Sequence, residues 1–175
     1  YRGNIDLGDG RIRDTDENRL KVAEEIRKTR ASYIFVCPEF DPHPDHHYGA
    51  KVVQGGFFLS RLPKIETASP AFSPTRLLHY VLHTMRDITF AVDISDVFPQ
   101  KLDALKAYRS QFVNPELPED YQYIGTSDYL NQIEAYNRQI SASPSISPPY
   151  SLNIHLRPEF ASPRIMGKIN TTGTV

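Results

Sequence analysis

Residues 41–50 read DPHPDHHYGA and set His43, His46 and His47 within five positions, with Asp41 and Asp45 among them. Imidazole is the commonest metal ligand and the side chain best suited to move protons near neutral pH. A carboxylate beside an imidazole fixes its tautomer and raises its basicity. Such a cluster could hold a divalent metal or serve acid–base chemistry. It could equally be a polar surface loop making local caps, and composition leaves both readings open. The interval holds Pro44 and Asp45, so it is not the helical His-Glu-x-x-His pattern of metalloproteases. A catalytic zinc usually takes three protein ligands, and the loop supplies one or two. His79 and His83 stand at i, i+4 in an apolar run, where sheet packing is the simpler reading, and His155 lies in a Ser/Pro-rich region.

The elements around the loop must place it. SYIFVC (32–37) lacks alternation, as expected of a strand covered on both faces in a parallel sheet. The loop that follows therefore sits at the carboxyl end of a strand, where open α/β sheets bind ligands. Pro44 and Asp45 suit the first turn of a helix running to about Arg61, with Ala50, Val53, Phe57 and Phe58 facing inward. Upstream, Gly8 and Gly10 mark a turn, and Asp14 followed by Glu17 resembles a capping box for a helix through Leu20, Ala23 and Ile26 to about Arg30. Downstream, 77–83 and 88–94 read as strands. Ser95 or Asp96 can cap a helix to about Phe112, burying Leu102, Leu105, Tyr108 and Phe112. A last helix spans about 127–140, anchored by Leu130, Ile133 and Ala135. Residues 141–175 are dense in Ser and Pro and read as an irregular tail. The order predicts an α/β, Rossmann-like, mostly parallel sheet with flanking helices, its opening strands lying upstream of Tyr1.

Composition bounds the function. The 175 residues are 39% hydrophobic and 23% charged, ordinary for a soluble domain. A net charge of −1 gives no reason to expect nucleic acid. Apolar runs fall far short of the roughly 20 residues that span a bilayer. The single cysteine, Cys37, excludes an internal disulfide and a multi-cysteine zinc site, and it points to a cytoplasmic setting. In a strand it reads as a small apolar residue.

Three stretches in order, NIDLGDGRIRDTDENRLKVAEEIRKTR, HPDHHYGAKVV and VDISDVFPQKLDALKAYRSQF, resemble the PIG-L/LmbE-like zinc-dependent N-deacetylase family, nearest its bacillithiol-biosynthesis branch. The resemblance covers about residues 3–140, so residues 1–140 are expected to form a partial deacetylase domain. It implies a zinc cofactor and a small N-acetyl amino-sugar substrate, N-acetylglucosaminyl-malate in that branch, with another N-acetylglucosamine conjugate (a glycolipid, mycothiol-type or antibiotic precursor) or a non-catalytic α/β module as the alternatives. It also implies that His46 is a zinc ligand, that His43 stabilises the oxyanion and protonates the leaving amine, and that Asp45 orients His43. Substrate-binding residues are not assigned, and YRSQF (108–112) carries no assigned chemistry. Members often assemble, which makes a homo-oligomer one expectation. The family's remaining ligands and base lie in an A-H-P-D-D-x-E-type motif that does not occur here. The 175 residues alone are therefore expected to bind zinc poorly and to be inactive. The family's closing segment is not reproduced after Ile140, and an altered reading frame is one explanation.

Overall fold

The structure, a computed structural model, describes residues 1–82, 90–108, 127–141 and 151–155. Side chains are described for all of these except 127–128, 139–141 and 151–155. Contacts divide the chain into two compact units, Tyr1–Thr89 with Ile154–Val175, and Phe90–Asn153.

In the first unit, helix α1 spans Asp16–Thr29. Its N-cap is Thr15, one residue later than the sequence suggested, and the Thr15 hydroxyl accepts from the Asn18 N–H at 3.2 Å. Arg30 closes the helix in the left-handed region at φ 52° and donates its N–H to the Ile26 carbonyl. Asp14 instead grips Arg19 through two hydrogen bonds of 2.7 Å. The Arg19 hydrogen bond, outweighing burial and aided by the charges of Arg19 and Lys51, holds the Asp14 carboxyl below the usual range. A folded-state pKa below the unfolded value of about 3.9 gives stability that is complete above that value. That stability is lost as pH falls through the folded pKa. Urea unfolding at pH 7 and pH 3 should show Asp14→Asn costing up to about 1 kcal/mol at pH 7 and little at pH 3.

Strand β1 spans Tyr33–Val36 and pairs in parallel with β2, Arg76–Tyr80, with Val36 opposite His79. Helix α2 spans Pro44–Leu59. One core joins Val22 and Ile26 of α1, Val36, Ala50, Val52 and Phe57 of α2, and Leu77. Close approach of the helices requires Gly56, because a Cβ there would stand 2.5 Å from Val22 Cγ1 and 3.0 Å from the Arg19 carbonyl. α2 packs on more than one face, so Val52 is fully buried while Phe58, expected inside, is 57% exposed. The expected cover on both faces of β1 is not found: Val36 is buried, but Tyr33 and Phe35 are exposed.

The expected strand through residue 83 is observed as far as Tyr80, and His83 lies outside the described residues. Strand β4, Ser151–His155, lies within the stretch read as irregular. Its Ile154 and His155 pair antiparallel with Tyr80 and His79. The alternating Leu152 and Ile154 were the signal, masked by Ser and Pro around them.

The second unit holds β3 (Phe90–Asp93), a 3-10 turn (Ser95–Val97), α3 (Phe98–Lys106) and α4 (Ser127–Ser141). Neither Ser95 nor Asp96 caps α3. The Asp93 carboxylate accepts from the Ser95 N–H and hydroxyl at 2.9 and 2.6 Å, and Pro99 opens the helix. The helix ends before Tyr108, which is exposed, and Phe112 lies outside the described residues. In α4, Leu130 and Ile133 are half-buried as expected, but Ala135 is exposed. Among the described side chains of α4 the buried one is Asn137, which accepts from Lys101 Nζ at 3.0 Å. Among the described residues, no helix is long and apolar enough to cross a membrane.

Candidate metal-binding loop

The loop between β1 and α2 runs from Cys37 to His43. His43 is the N-cap of α2, with its Nδ1 accepting the Asp45 N–H at 3.1 Å. That nitrogen is therefore unprotonated in the neutral ring, and the hydrogen sits on Nε2. The His43 and His46 rings lie 4.8 Å apart at 31°. His43 is exposed, and the His46 side chain is 32% exposed.

Asp41 organises the cluster, a role the sequence did not assign to it. Its side chain is fully buried, and its Oδ1 lies 2.8 Å from His46 Nδ1 and accepts the His43 N–H at 2.9 Å. An ionised carboxylate only accepts, so His46 carries its hydrogen on Nδ1 and presents the Nε2 lone pair, the form that binds metals. The signal was present in the sequence as an Asp-Pro five residues before the histidine. His47 is tied elsewhere, with its Nδ1 2.7 Å from the Glu39 carbonyl oxygen and its ring edge-on to Tyr48.

Asp45 is buried, and its carboxylate accepts the N–H groups of Gly10 (2.5 Å) and Ile12 (3.0 Å). Its link to His43 runs through its own backbone N–H rather than its carboxylate. The turn at Gly8 (φ 88°) and Gly10 (φ 69°) aims those two amides, so the Gly-Asp-Gly stretch docks onto the start of α2. Asp45 thus fixes the N-terminal segment against the loop.

Beneath the loop, Cys37 joins the cluster. Cys37 Sγ donates to the His46 carbonyl at 3.1 Å, and burial pushes its thiol pKa up. Burial also pushes the Tyr80 phenol up, with the charges of Cys37 and Asp41 adding to it.

The donor chemistry suits one arm of a metal site: an imidazole backed by a buried carboxylate. Among the described residues, no group of three or more His, Cys, Asp or Glu side chains converges to hold a metal. His46 and Asp41 are brought together, whereas His79 serves the sheet side.

No family model matches the chain. It is 27% identical over 142 residues to the diacetylchitobiose deacetylase of Thermococcus kodakarensis, covering 78% of this chain and 51% of that protein. Its fold is similar to that of a conserved protein of Thermus thermophilus, with TM-score 0.77 and 28% identity over 89% of this chain and 65% of that one. It is also similar to that of the N,N'-diacetylchitobiose deacetylase of Pyrococcus horikoshii, with TM-score 0.64 and 22% identity over 86% and 54%. The chain spans about half the length of the curated relative it matches.

Proposed function

We propose that this chain is part of a metal-dependent amide hydrolase that removes the acetyl group from an N-acetylated amino-sugar conjugate in the cytoplasm. The observation that carries this reading is the Asp41–His46 pair at the carboxyl end of β1, which readies an imidazole for a metal. The similarity to diacetylchitobiose deacetylases supports the reaction class. The narrower substrate is N-acetylglucosaminyl-malate, which rests on the resemblance to the bacillithiol branch.

In this reading His46 is a zinc ligand, and its further co-ligands and the general base come from beyond the described residues. A zinc ion held there would supply Lewis acidity enough to ionise water at about pH 7. Asp41 holds the His46 hydrogen on Nδ1. His43 would donate its Nε2–H toward the amide oxygen and offset the charge that develops there; to protonate the departing amine its ring would need a second proton, which Nδ1 takes only by releasing the Asp45 N–H. One such donor is typically worth about 10²–10³ in rate. Asp45 contributes by locking the Gly10–Ile12 segment and the His43 cap in place.

Acetate release from N-acetylglucosamine conjugates by the whole protein that carries this chain tests the reading. His46→Ala should lower it at least about a hundredfold, beyond the tenfold to hundredfold loss usual for a residue that only backs a ligand. Unchanged turnover in that variant would favour a non-catalytic role for the loop.

A further inference from the structure

We infer that His79 and Cys37 are positioning residues for the His46–Asp41 pair, forming a hydrogen-bonded ladder from strand β2 through the end of β1 to the first turn of α2. The inference takes from the proposed function only the importance of His46. His79 is 3% exposed, and its Nδ1 lies 2.9 Å from the carbonyl oxygen of Cys37. A carbonyl only accepts, so His79 carries its hydrogen on Nδ1, and its Nε2 faces the Gln54 amide nitrogen at 3.4 Å. The β1–β2 pairing ends at Val36 opposite His79. The carbonyl of residue 37 thus lies just past the ladder, and an imidazole side chain meets it there.

Cys37 passes the constraint on. Its thiol donates to the His46 carbonyl and lies against the α2 turn, 3.8 Å from where a Cβ on Gly49 would stand. Cys37 is therefore tied to β2 by its carbonyl and to α2 by its sulfur. Asp41 hangs four residues further along the same loop, and its partner His46 is the residue whose carbonyl the thiol holds. Moving Cys37 displaces both members of the pair relative to each other.

The test reads the His46 tautomer from imidazole ¹⁵N shifts in the metal-free protein. The wild type should be dominated by the Nδ1–H form. His79→Leu and Cys37→Ala should each lower the ratio of Nδ1–H to Nε2–H by about tenfold, the lower end of what outer partners of a ligand usually contribute. His79→Asn, which keeps a donor near the Nδ1 position, should restore most of it. An unchanged ratio in Cys37→Ala with wild-type circular dichroism overturns the inference, as does an asparagine variant no better than leucine. Should His79→Leu not fold, Cys37→Ala decides alone. A wild-type protein that releases no acetate would sink the proposed function and leave this ratio unaffected.

Discussion

Replacing Arg27 with Leu should lower stability by about 3–5 kcal/mol, the range for stranding buried polar groups by removing a charged partner. Arg27 is 3% exposed, yet its guanidinium bonds the carbonyls of Leu59, Ser60, Leu62, Ile65 and Ser69 and the Thr67 hydroxyl. Leu59 and Ser60 end helix α2, which has no basic residue of its own in its last turn. Arg27 thus supplies from α1 both the donors and the positive charge that a helix C-terminus calls for. At roughly 2–4 °C per kcal/mol for a chain of this size, Tm should fall by about 10 °C. Arg27→Lys should recover only part of the loss, because an ammonium brings three donors from one point where the guanidinium brings five in a plane. A thermal melt of the leucine variant within about 2 °C of wild type would show that water takes over these carbonyls.

Removing the Asp41 carboxylate should weaken zinc binding by the whole protein about a hundredfold in Asp41→Ala and about tenfold in Asp41→Asn. The alanine variant loses both the acceptor for His46 Nδ1 and the acceptor for the His43 N–H. The asparagine variant keeps an acceptor oxygen but not the charge that makes His46 a stronger base. Competition against a chromophoric chelator gives the affinities. An alanine variant with wild-type affinity would mean that the Asp41–His46 pair is a loop brace with no bearing on the metal.

The sequence disclosed those parts of the structure that depend on near neighbours. The α1 and α2 helices, the strand at 33–36 and the histidine loop at its end followed from periodicity, a proline at the helix start and an unbroken apolar run. The expected parallel sheet is met where β1 pairs with β2. What escaped was set by distant contacts. Arg27 reads as one more cation on a charged helix face, and its partners lie 32 to 42 positions away. Phe58, expected inside, is exposed while Val52 is fully buried, because α2 is covered by both α1 and the sheet. Asp45 was assigned by resemblance to His43, but a turn 33 and 35 residues upstream engages its carboxylate. Asp41 was visible but its partner was not, since a loop of irregular backbone gives no periodicity from which to infer which side chains meet. His79 looked like packing because a buried histidine on a strand reveals nothing of the carbonyl beyond the sheet.

Zinc-edge X-ray absorption on the metal-loaded whole protein tests the central claim most directly. The wild type should hold one zinc per chain with imidazole nitrogen at about 2.0–2.1 Å. His46→Ala should lose one nitrogen scatterer and most of the bound metal. A His46→Ala protein with wild-type zinc content and an unchanged spectrum would contradict the assignment of His46 as the ligand on which the hydrolase reading stands.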